Sequence, residues 1–312
     1  MNELRPENIS VIDPINPAID RIKLMLFQPF DLARWFVIGF CAWLANLMHG
    51  GSSGPSFRYE THQNPHVLKE FIQNNIEWLI PTGMFIIFLG IVIWLVVLWL
   101  SSRGKFMFLH CVARNKAEVR VPWSEFGRHA TSLFLFRIVV GAIFFASVAI
   151  PILMTAGFII TSTAVGMQNV TALFGIVMII LYVFVVAIVY LLIKKFTTDF
   201  VVPIMFLRTT SCIAAWREFI RILSVNKGRF TLYILFQIAI AIVIGIIIPA
   251  LLCIGVCCLC GLGLLILIPY IGTVILLPIP MFVRSYSVYY LQQFGLQYDV
   301  FRSETENAGV VS

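Results

Sequence analysis

With 312 residues, 60% of them hydrophobic and 12% charged, the chain lies outside the composition of water-soluble domains, where about a quarter of residues are charged. The formal net charge of +7 invites a nucleic acid, but the lysines and arginines are confined to alternate connectors, which sets nucleic acid aside in favour of membrane topology. Seven cysteines are an odd set and sit mostly in or near apolar runs, so they form no disulfide framework.

Residues 1–31 are polar, carry Pro6, Pro14, Pro17 and Pro29, and lack the apolar core and cleavage site of a signal peptide. Ile19, Ile22 and Leu26 have the spacing of a helix lying in the headgroup plane. A transmembrane domain over 32–291 follows. A span needs about 20 apolar residues, and the candidates are 32–48, 79–100, 133–161, 172–193, 231–253 and 262–283. The first is short and begins beside Asp31 and Arg34; the third is long enough to tilt or to start as an interfacial helix.

Between the first two spans lies an outer loop, 49–77, which opens on a flexible Gly50-Gly51-Ser52-Ser53-Gly54-Pro55 run and becomes helical from Val67. Its His62 and His66 are four apart, but Pro65 opposes the helix on which they would share a metal. Arg103, Lys105, Arg114, Lys116, Arg120 and Arg128 separate spans two and three. Lys194, Lys195, Arg208, Arg217, Arg221, Lys227 and Arg229 lie between spans four and five, whereas the opposite side offers only Arg58 and Lys69. Positive connectors stay inside, so both termini are expected in the cytoplasm. The tail, 292–312, is expected to be cytoplasmic and disordered. Pro249, Pro269, Pro278 and Pro280 predict an irregular final hairpin.

A weak internal repeat runs through this pattern. Met107-Phe108-Leu109-His110, Met205-Phe206-Leu207-Arg208 and Met281-Phe282-Val283-Arg284 close spans two, four and six. Trp123-Ser124-Glu125-Phe126 and Trp216-Arg217-Glu218-Phe219 precede spans three and five, which open on Leu135-Phe136-Arg137-Ile138 and Leu235-Phe236-Gln237-Ile238. The predicted fold is therefore an all-α integral membrane protein. It is a six-helix transmembrane bundle of three repeated helical hairpins, with amphipathic interfacial helices on the cytoplasmic face. Ile213, Trp216, Ile220 and Leu223 form one apolar stripe and Trp123, Phe126, Ala130 and Leu133 another. Such stripes lie in the headgroup plane or pack on the bundle, and either choice buries the same face. Trp123, Arg128, Trp216, Arg217 and Arg221 are the candidate lipid or partner surface.

Two constellations carry candidate chemistry. Cys253, Cys257, Cys258 and Cys260 place four thiols in eight residues at an outer turn, a set that would suit a metal or a local disulfide. No Lys, Arg or His stands nearby to stabilise thiolates, so free thiols are the plainer expectation. Asp199 and Arg137 lie near the inner ends of spans four and three and are an intramembrane polar pair if the bundle brings them together. Otherwise Arg137 snorkels to headgroups and Asp199 caps a helix. No phosphate loop, zincin motif or nucleophile elbow occurs, and no cofactor is expected.

The run Lys23-Leu24-Met25-Leu26-Phe27-Gln28-Pro29-Phe30-Asp31-Leu32-Ala33-Arg34-Trp35-Phe36 and the closing Ile268-Pro269-Tyr270-Ile271-Gly272-Thr273-Val274-Ile275-Leu276-Leu277-Pro278, with Arg284-Ser285-Tyr286, carry a resemblance. The chain resembles a family of uncharacterised prokaryotic multi-pass membrane proteins. That group includes the membrane domain attached to some glycerophosphodiester phosphodiesterases and the YciC-like proteins. The resemblance implies a six-span prokaryotic inner-membrane protein. The phosphodiesterase barrel's His-Arg pair and Glu-x-Asp motif are missing, so no activity carries over.

The function expected from these features is a non-enzymatic membrane module that engages membrane lipids, a membrane-protein partner or further copies of the chain. The alternative is a transporter or permease for a small or lipid-like solute, working through the proline-broken hairpin.

Overall fold

The computed structural model describes residues 9–48, 75–164, 169–258 and 268–301. Helices α1 (Ile15–Ile22), α2 (Leu32–Asn46), α3 (Ile76–Arg114), α4 (Arg120–Glu125), α5 (Gly127–Ala164) and α6 (Asn169–Phe196) build the first part of the chain. Helices α7 (Val202–Arg208), α8 (Cys212–Val225), α9 (Lys227–Cys258), α10 (Pro269–Ile275) and α11 (Pro278–Gln292) complete it, without a strand among the described residues.

Helices α3, α5, α6 and α9 are long and apolar enough to cross a membrane. Two of the six expected spans are not of this kind. The stretch 32–48 gives α2, whose 15 residues fall short of a bilayer crossing. It buries Ile38, Cys41, Ala42 and Leu44 in the protein. Gly104 of α3 makes this docking close, for a Cβ there would stand 2.5 Å from the Ala45 nitrogen and the Leu44 carbonyl carbon. Of the stretch 262–283 the described part, from residue 268, breaks into α10 and α11, bent by 65°. Pro278 starts the second piece, where its missing N–H costs no helical bond. Among the described residues four helices are thus long and apolar enough to span, or five if the bent pair is one span. Pro151 and Pro249 sit inside continuous helices.

The core lies at one end of the spans. Helix α3, at 39 residues, is about 58 Å long, roughly twice the hydrocarbon thickness. Its first half exposes Phe85, Ile86, Ile87 and Phe88, whereas its last turns bury Phe106, Met107, Leu109 and Val112. Hydrocarbon tails satisfy apolar side chains as well as protein does, so nothing drives burial along the first half. Past the apolar stretch, burial is rewarded again. The basic connectors cluster at this same end, called here the basic end. The three repeat motifs meet in this layer, where Met107, Met205 and Met281 are all fully buried. Phe126 stacks on Phe206 at 4.8 Å and on Phe106 at 5.9 Å; Phe219 stacks on Phe200 at 5.2 Å.

The terminal segments are also folded into it. Arg21 donates to the Val112 and Ala113 carbonyls at 2.8 and 3.0 Å, satisfying acceptors that the end of α3 leaves open. Its guanidinium also lies 4.8 Å from the Phe301 ring. The expected stripe before the first span is inward at two of its three positions, with Ile22 and Leu26 buried and Ile19 exposed. The tail does not start at residue 292 as expected, since Phe294, Tyr298, Val300 and Phe301 are buried. Residues 302–312 and most of the outer loop, 49–74, lie outside the described residues.

Candidate anion site at the basic end of the spans

Helix α6 continues into α7 through a π-helical turn, Thr197–Val201. Pro203 accounts for it: it has no N–H for the Asp199 carbonyl, and its ring crowds that oxygen. The widened turn presents Thr198 and Asp199 to the helices around it. Asp199 Oδ2 pairs with Lys195 Nζ at 2.9 Å and accepts from the Tyr233 hydroxyl at 2.9 Å. Gln237 closes a ring, accepting from Lys195 at 3.2 Å and donating to the Tyr233 oxygen at 3.2 Å. Arg284 reaches the freed Thr198 carbonyl, and Lys105 Nζ donates to the Thr198 hydroxyl at 2.5 Å.

Arg137 does not join Asp199. It donates to Ser102 Oγ at 3.0 Å and Ser101 Oγ at 3.4 Å, so the expected pair is two neighbouring arrangements with Lys105 between them. Lys195, Lys105 and Arg284 thus share one carboxylate, Asp199, while Arg137 and Lys194 stand beside Lys105. Lys105 and Arg284 are 4% and 6% exposed, and Arg284 Nε and Nη2 are buried without a partner. Lys105, Arg137 and Lys194 open together into a cleft of about 50 Å³ between α3, α5 and α6, which Thr197 and Tyr190 also line. Clustered charged donors of this kind are chemically suited to an anion. Sequence reasoning singled out Asp199 and Arg137 but missed Lys105, Lys194, Tyr233, Gln237 and Arg284. One signal was present: Gln237 occupies the Arg137 position of the aligned Leu-Phe-x-Ile motifs, and Arg284 closes the third Met-Phe motif.

The candidate surface divides. Arg128, Arg217 and Arg221 are exposed, and the last two line a surface hollow of about 370 Å³ with Arg208. Trp216 instead packs between Phe136 and Phe219, at 5.8 and 5.6 Å, and Trp123 meets Trp99 at 5.9 Å. Arg103 is held between Trp99 and Trp123, 4.5 and 4.6 Å from the two rings. Both tryptophans thus pack against neighbouring rings on one side while staying partly exposed. The stripe of α8 is offset from the expected one: Cys212, Ala215, Phe219 and Ile222 are buried, while Ile213 and Ile220 face outward.

Of the cysteine set, Cys253 is a free, exposed thiol. Helix α9 runs to Cys258, so the turn starts later than expected. The side chains of Cys257 and Cys258, and all of Cys260, lie outside the described residues. Among the described residues no three metal-ligating side chains converge. Cys41 and Cys111, 70 positions apart, are brought to 3.8 Å between sulfurs by the α2–α3 contact, for which the sequence held no signal. Burial pushes the Cys212 thiol up to about 12. Below that pH it stays protonated and enclosed, so alkylation of the native protein at neutral to mildly alkaline pH is expected to spare it. Peptide mass spectrometry that found Cys212 modified without denaturant would contradict this enclosure.

No curated protein and no solved structure matches the chain. One family model does, over residues 9–262, a range that holds every residue of the polar cluster except Arg284. The chain belongs to that family, a family of unknown function (DUF7544).

Proposed function

We propose that this chain is a non-enzymatic module of a prokaryotic inner membrane, its basic end and termini cytoplasmic, that holds anionic lipid. The observation that carries the reading is the cationic surplus around Asp199. Uncompensated cations at a hydrocarbon boundary destabilise the fold, and each is most simply balanced by an anion from the surrounding leaflet. Arg128, Arg217 and Arg221, with the outward Ile213 and Ile220, extend the same basic layer along the membrane surface. The interfacial role of α8, the three-hairpin arrangement and the likeness to YciC-like membrane domains belong to this proposal.

Native mass spectrometry of the detergent-solubilised chain tests it. Phosphatidylglycerol is expected to be retained in preference to phosphatidylcholine, and Arg217→Glu/Arg221→Glu is expected to lower the number of retained molecules. Equal retention of the two lipids would refute the reading. A transporter remains the second reading, favoured by the 65° break between α10 and α11. It requires solute flux in proteoliposomes, which the module reading does not predict.

A further inference from the structure

We propose that the cleft between α3, α5 and α6 is a site for the phosphomonoester headgroup of a phosphatidic-acid-like lipid. This rests on the anionic-lipid reading and narrows it to one place and one headgroup class. Three different helices each send one cation into the cleft: Lys105, Arg137 and Lys194. Lys105 is 4% exposed and spends one of its three donors on Thr198. Asp199 is engaged by Lys195 and Tyr233, and among the described residues no carboxylate lines the cleft.

Charge and size then select the headgroup. A choline or ethanolamine group would bring a positive charge to a site that already holds three, with no carboxylate to receive it. A phosphodiester brings one negative charge, whereas a phosphomonoester carries about −1.5 to −2 near neutral pH and offsets more of the surplus. Its free oxygens also accept more charge-assisted hydrogen bonds. The cleft volume, about 50 Å³, is a few waters' worth, room for a phosphate group. Apart from Thr197 and Tyr190 the remaining wall is apolar, with Trp94, Leu98, Val140 and Gly141 among its residues. These residues lie on the spans, so an acyl chain has a continuous hydrocarbon path away from the phosphate. At Gly141 a side chain would meet nothing within 4 Å, so the wall is open there.

The test uses native mass spectrometry on the full chain in detergent, with phosphatidic acid and phosphatidylglycerol added in competition. Phosphatidic acid is expected to be retained at least about tenfold over phosphatidylglycerol, a factor that one additional charge-assisted bond supplies. Arg137→Gln/Lys194→Gln is expected to abolish the preference, and so is Gly141→Leu, which obstructs the wall and keeps every cation. Gly141→Leu decides the matter if the double variant fails to fold. Arg120→Gln, an exposed cation outside both sites, is expected to leave the preference intact. Equal retention of the two anionic lipids, or a preference that survives both cleft variants, would overturn the site while leaving the anionic-lipid reading standing. Failure to retain any anionic lipid would overturn both. Displacement of phosphatidic acid by excess inorganic phosphate would assign the cleft to a soluble phosphate and overturn the lipid assignment.

Discussion

Replacing Asp199 with asparagine is expected to destabilise the folded chain by about 3–5 kcal/mol, the cost of leaving buried charge without its counter-ion. The amide is isosteric and can still accept from Tyr233, so the loss isolates the charge. Lys195 sits 2.9 Å away, and the buried Lys105 and Arg284 feel the same carboxylate. Asymmetry is the sharper form of this prediction. Cations outnumber the carboxylate five to one in the cluster, so removing Lys194 relieves repulsion with Arg137 and is expected to be neutral or stabilising. Thermal denaturation in detergent checks both variants. A change below about 1 kcal/mol for Asp199→Asn would mean that water or detergent already screens the cluster.

Gly104→Val is expected to undock α2 from α3 at a cost of about 3 kcal/mol, the upper end of core overpacking. Helix propensity alone favours replacing a mid-helix glycine by about 0.5–1 kcal/mol. The contact wins because the obstacles, the Ala45 nitrogen and the Leu44 carbonyl carbon at 2.5 Å, are backbone atoms that cannot rotate aside. Cys41 provides the readout. It is fully buried opposite Cys111, so maleimide should miss it in the native wild type and label it once α2 is released. Gly90→Val, on the same helix with nothing within 4 Å, is the control and is expected to leave Cys41 protected. Continued protection of Cys41 in Gly104→Val would show that the helices can separate slightly without losing the dock.

The long apolar helices were legible because length and hydropathy alone decide them. The stretches 79–100, 133–161, 172–193 and 231–253 fall within α3, α5, α6 and α9. The stretch 32–48 was ambiguous because a helix docked on protein and a membrane helix share apolar composition; its 15-residue length and its partner α3 come from the tertiary structure. The tryptophans were legible only in part for a related reason. Trp216 at helical spacing beside arginines fits an interface, but the rings of Phe136 and Phe219 are also within reach of it. Asp199 and Arg137 were found by their rarity in apolar surroundings, whereas their partners depended on how three helices rotate against one another.

The amino-acid order by itself determined an all-helical chain with several apolar segments and a one-sided distribution of basic connectors. Those properties are local sums over consecutive residues, and no contact can alter them. The tertiary structure decided which end of the spans is packed, that α2 docks within the protein, and that Lys105, Arg137 and Lys194 converge on one cleft. Side chains nearly ninety positions apart meet only through helix rotation and depth, which the apolar pattern of a lipid-facing helix leaves unspecified because hydrocarbon surrounds every face alike.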